Sequence, residues 1–120
     1  MNIYGEKLLD HYKNPRNFGE LDSADRMNEL ENISCGDSIK VYVKLAKDTI
    51  DDIKFTGEGC AVAVGTASML MEYAKGKTIE EMKKFSLDDL VDLIGIDLTM
   101  SRLKCANLSL ETLHNALIGK

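Results

Sequence analysis

The chain has no tryptophan, one proline, two histidines and only three cysteines in 120 residues. An odd, low cysteine count argues against a secreted disulfide scaffold. Met1 to Tyr12, carrying Glu6, Lys7 and Asp10, reads as an amphipathic helix rather than a signal peptide. The thiols are therefore expected to be reduced and the protein cytoplasmic. Long hydrophobic runs are missing as well. The longest, Ala61 to Met71, is broken by Gly65, Thr66 and Ser68, well short of the roughly 20 apolar residues that span a bilayer, so no membrane association is expected. Basic residues are outnumbered, 15 against 20 acidic, and the net charge of −5 gives no general field for phosphates. That excludes nucleic acid as a default partner and leaves a basic protein surface or a metal cation as better matches. With 44% hydrophobic and 29% charged residues, and no repeat or linker, residues 1–120 are expected to form one domain with one core.

What is present is a series of short patterned segments. Tyr4, Leu8, Leu9 and Tyr12 share a helical face that should stop at Asn14-Pro15, because proline disfavours helical geometry in the residue before it. Arg16 to Leu30 has no clear period and reads as loop, with a short edge strand near Met27 to Ile33. Ile39, Val41, Val43 and Leu45 alternate with polar partners as a half-buried strand, and Ile53 and Phe55 continue an antiparallel hairpin after a turn at Ala46 to Thr49. Cys60 to Lys75 is rich in small apolar residues, which suits a helix packed closely on a sheet and stopped at Gly76. Thr78 with Glu81, and Ser86 with Asp89, have the form of capping boxes that start two short helices, the second ending at Gly95. Leu103, Ala106, Leu110, Leu113 and Leu117 predict a closing helix that Lys104 and Cys105 open.

The three cysteines fall at predicted ends of these elements, within Ser34-Cys35-Gly36-Asp37, Gly57-Glu58-Gly59-Cys60-Ala61 and Lys104-Cys105-Ala106. Thiolates delivered from three loops, with the Asp37 carboxylate as fourth donor, can build a tetrahedral metal or iron-sulfur site. Helix starts favour the thiolate, and flanking Gly36 and Gly59 let backbone approach a bound group. One cysteine alone is more often a small buried hydrophobe, and Asp37 alone a turn residue, so the weight lies in the combination. His11 and His114 read as solvated or packing side chains, and Met69, Met71 and Met82 as core. Asp88-Asp89 and Glu80-Glu81 read as helix starts.

Tyr4-Gly5-Glu6-Lys7 with Asp10-His11-Tyr12-Lys13-Asn14-Pro15-Arg16-Asn17-Phe18-Gly19 resembles the amino-terminal signature of the IscU/SufU/NifU-type iron-sulfur assembly proteins. Cys35-Gly36-Asp37, Ile53-Lys54-Phe55, Gly57-Glu58-Gly59-Cys60-Ala61, Gly76-Lys77 and Lys104-Cys105-Ala106 with Leu108 follow in the family's order. The resemblance implies an α+β domain with a small antiparallel three-stranded sheet, helices packed on one face, and a site formed by Cys35, Asp37, Cys60 and Cys105. It also implies a scaffold that receives persulfide sulfur from a cysteine desulfurase, builds a transient 2Fe-2S cluster with iron (Fe), and passes it to iron-sulfur acceptor proteins. Cys105 is expected as first sulfur acceptor, with Cys35 the alternative. The same donors suit Zn²⁺ in a resting form, and a zinc-dependent sulfur-transfer partner of a desulfurase is the second expectation. Lys104 stands where IscU-like members carry histidine, as in SufU-like members, but the stretch from Cys60 to Cys105 is too short for the SufU-like insertion. Asp97 to Leu103 lacks the Pro-Pro-Val-Lys segment, so an Hsp70-type chaperone partner is not supported.

Overall fold

The computed structural model describes residues 5–34 and 36–119. The readings made on Tyr4 and Cys35 lie outside them. Among the described residues the elements run α1 (Glu6–Lys13), β1 (Arg26–Asn32), β2 (Asp37–Ala46), β3 (Thr49–Glu58), α2 (Ala61–Ala74), α3 (Ile79–Lys83), α4 (Leu87–Ile94) and α5 (Met100–Leu117). The strands form one antiparallel sheet in the order β1-β2-β3, with the packed helices on one face, as expected.

The hairpin explains itself from its side chains. Ile39, Val41 and Val43 alternate inward with no exposure, while Lys40 and Lys44 face away. β3 is longer than its sequence pattern suggests, because Ile50 and Ile53 are both buried although three residues apart. The register explains this: Lys44 pairs with Asp52 and Leu45 with Ile50, so Asp51 is an extra residue that restores the inward parity. β1 is harder to read from sequence. Its burial alternates, but of the four half-buried positions Arg26, Asn28, Leu30 and Asn32 only one is apolar. Pairing with β2 and cover by α5 hold it in place.

The two sheet edges differ. The free side of β3 is closed by the chain itself: Asn17 O accepts from Phe55 N at 2.9 Å and Gly19 N donates to Phe55 O at 2.8 Å. Lys77 O accepts from Ile50 N and Gly76 N donates to Ile50 O, each at 2.8 Å. Among the described residues, β1 pairs only with β2.

Helix α2 is not a surface helix with one apolar stripe. Eleven of its 14 residues are buried, because it packs against α1, α5 and β3 together. Its small residues permit this closeness. A Cβ on Gly65 would lie 2.8 Å from the Leu8 carbonyl oxygen, so α1 and α2 approach with no room for a side chain. Both capping boxes form as the sequence predicts, Thr78 with Glu81 and Ser86 with Asp89. The closing helix differs from expectation. It starts at Met100 with Thr99 as cap, so Cys105 lies in its second turn and not at its start.

Candidate metal centre

Asp37 is the first residue of β2, paired with Asn32 at the end of β1, and it is 2% exposed. Its Oδ1 accepts the Cys60 backbone N–H at 3.1 Å. Cys60 caps α2, with the Ala63 N–H directed at its sulfur at 3.5 Å, so this sulfur sits where a helix presents its unpaired amides. Cys105 approaches from α5, its Sγ 3.7 Å from the Ser101 carbonyl of the preceding turn and its side chain 5% exposed. The thiol at a helix start is therefore Cys60 and not Cys105, which lies beyond the first turn of α5.

One ligand atom each from Asp37, Cys60 and Cys105 lies within 4.8 Å of the other two. Tetrahedral zinc with sulfurs about 2.3 Å away holds ligand atoms roughly 3.8 Å apart, so a modest contraction would complete three corners of such a site. The carboxylate supplies a second reason to expect a cation. Asp37 Oδ2 is buried and accepts no hydrogen bond among the described residues. Leaving such an oxygen unmatched costs about 1–3 kcal/mol, which a bound cation would offset. Gly59 makes the arrangement possible. Its φ of 152° suits glycine, and an added Cβ would run into the Asp37 carboxyl group. The donor set, two thiols and one carboxylate, fits zinc or iron. Cys35, two residues before Asp37, lies outside the described residues.

The remaining candidates behave as packing groups. His11 is 3% exposed, with Nδ1 2.7 Å from Ser68 Oγ, and burial followed by the Arg16 charge pushes its pKa down from the ordinary value. His114 Nε2 donates to the Met82 carbonyl at 2.9 Å. Met69, Met71 and Met82 are core. An opening of about 560 Å³ beside Tyr73, Phe85 and Leu93 includes none of the ligand residues. Sequence reasoning did not foresee Ile33 and Met100, which are 88% and 78% exposed. A single exposed hydrophobe leaves no periodic signal by which to find it.

The NifU-like N terminal domain family matches residues 3–119 of this chain. The chain is 40% identical over 116 residues to iron-sulfur cluster assembly scaffold protein IscU 1 of Archaeoglobus fulgidus, covering 97% of this chain and 75% of that one. It is 36% identical to the zinc-dependent sulfurtransferase SufU of Bacillus subtilis, covering 96% and 89%. That alignment runs over 132 positions, longer than this chain of 120, so SufU carries residues that have no counterpart here. The crystal structure of a SUF-system scaffold protein from Fervidobacterium islandicum superposes with a TM-score of 0.85 at 29% identity, covering 96% of both chains. A NifU-like amino-terminal domain from Brucella abortus shares the fold, with a TM-score of 0.81 at 16% identity over 98% of this chain and 93% of that one.

Proposed function

Because the chain belongs to the NifU-like N-terminal domain family, we propose that residues 1–120 form a scaffold domain for iron-sulfur cluster assembly. On this reading it takes persulfide sulfur from a cysteine desulfurase and combines it with iron into a transient 2Fe-2S cluster. Cys35, Asp37, Cys60 and Cys105 hold that cargo until an acceptor protein receives it. The observation that carries the reading is the buried Asp37 Oδ2, without a hydrogen-bond partner among the described residues and grouped with two thiols.

Sulfur transfer needs only the thiols. An acceptor thiolate attacks the outer sulfur of the donor persulfide, a new S–S bond forms, the donor's S–S bond breaks and the donor leaves as a thiolate. No net oxidation occurs in that step, and later release as sulfide takes two electrons from a separate reductant. Cys105 is too enclosed for a first attack and loses its helix-start advantage. Cys35, the alternative acceptor named from the sequence, is then favoured for the first step, with Cys105 receiving sulfur second. Asp37 is a harder and less covalent ligand than thiolate, which suits a cargo that must leave.

Anaerobic reconstitution with ferrous iron, cysteine and a desulfurase, read by visible absorption and Mössbauer spectroscopy, tests this. One 2Fe-2S cluster per site is the expected result, and Asp37→Ala should slow its transfer to an acceptor protein. A zinc-dependent sulfur-transfer role is the second reading, favoured by exposed Lys104 beside Cys105 and by the similarity to SufU. It would prevail if zinc binds tightly, resists replacement by iron and speeds desulfurase turnover.

A further inference from the structure

The edge of β1 away from β2, which has no strand partner among the described residues, lies between two clefts. At one end, Glu31 and Asn32 of β1 face Lys104, Asn107, Leu108 and Glu111 of α5 around a cleft of about 240 Å³. At the other end, Asp25, Arg26 and Met27 meet Ala116 and Gly119 around one of about 360 Å³. α5 therefore runs antiparallel to β1 along the whole strand. The six residue steps from Arg26 to Asn32 separate the clefts by roughly 20 Å at strand rise. We propose that this edge is a docking groove in which an extended, lysine- or arginine-bearing segment of a partner protein adds as a fourth strand, with side chains seated in the two clefts.

Backbone hydrogen bonding supplies the general affinity of such strand addition, and alternate side chains supply the selectivity. Met27, Glu29 and Glu31 are the exposed residues of β1, and Met27 and Glu31 also border the two clefts. An added strand would set its own side chains beside them, and cross-strand pairs of opposite charge stabilise a sheet. Lys40 stands opposite Glu29 from β2, but its Nζ lies 5.2 Å from the centre of the Tyr42 ring. The carboxylates are thus available to an incoming cation. A second copy is a poor occupant. Antiparallel self-pairing centred on Glu29 would oppose that carboxylate to its own copy, on a chain already carrying −5. Docking at the strand edge needs neither metal nor cluster. β1 does end beside Asp37, so a docked segment would lead its chain toward the candidate centre.

The test uses the full chain and a fluorescein-labelled octapeptide alternating lysine with valine. Anisotropy titration should show saturable binding that weakens with added salt, and amide exchange by NMR should show new protection among residues 26–32. The paired reversal Glu29→Lys with Glu31→Lys should weaken binding about tenfold, while leaving the thermal midpoint of the peptide-free chain nearly unchanged. An octapeptide alternating glutamate with valine should not bind. Binding without protection in β1, or binding indifferent to the reversal, overturns the proposal. So does concentration-dependent protection of β1 without peptide, with sedimentation as a dimer, because the edge then serves a second copy.

Discussion

The fold buries two polar clusters, and they are completed differently. Where α1 meets α2, Ser68 Oγ lies 2.7 Å from His11 Nδ1 and accepts the Arg16 backbone N–H at 2.8 Å, while Arg16 Nη2 pairs with Asp10 at 2.6 Å. One nitrogen there, Arg16 Nη1, lacks a partner among the described residues, on a side chain still 38% exposed. At the other cluster, Asp37 is almost fully enclosed, one carboxylate oxygen is bonded to the Cys60 amide and the other is not bonded at all. The first arrangement bonds His11, Ser68, Asp10 and the Arg16 Nη2 to one another, leaves Arg16 Nη1 over, and works as a clasp between helices. The second keeps donor atoms in reserve, at a cost in stability that is reasonable only if something else binds there.

The largest effect that would break this contrast comes from Gly59→Val. Strain at its φ of 152° and collision with Asp37 should destabilise the fold by about 3 kcal/mol and abolish stabilisation by Zn²⁺ in thermal melts. Retention of the full zinc effect would mean that Asp37 does not belong to the centre. Ser68→Ala should cost about 1–2 kcal/mol in chemical denaturation, by removing the shared partner of His11 and Arg16, while the zinc-induced shift in melting persists. Loss of that shift would merge the two clusters into one coupled unit. The smallest effect is on pH dependence. Burial, then Arg16, lowers the His11 pKa below 6.5, so the unfolded chain binds more protons than the folded one between the lowered value and 6.5. The contribution to stability is present above 6.5 and lost as pH falls through the folded value. His11→Asn should flatten that part of the pH profile, measured as the denaturation midpoint on either side of 6.5.

Periodic elements were legible in the sequence for physical reasons. Alternation along Ile39 to Leu45 and the two capping boxes are local signals, and each forms where it is written. β1 was only partly legible because its inward positions include Arg26, Asn28 and Asn32, and a neighbouring strand decides what its own side chains do not. The early residues of β3 were hidden by the extra residue Asp51, which shifts the alternation. The start of α5 was missed because Thr99 caps it before any apolar period begins, and with it the placement of Cys105. Within the candidate centre, the cysteines and Asp37 could be named from local context and family resemblance. The proximity of Asp37, Cys60 and Cys105, and the bond from Asp37 to the Cys60 amide, depend on tertiary structure that no local pattern encodes.

The Cys60 sulfur both terminates α2 and faces the other two ligand atoms, so one atom has two occupations. A serine hydroxyl would perform the first at least as well and would be a far weaker donor to soft cations. Position 60 is therefore a place where the helix can be kept intact while the grip on cargo is dismantled, giving a properly folded but empty-handed control for any assembly assay.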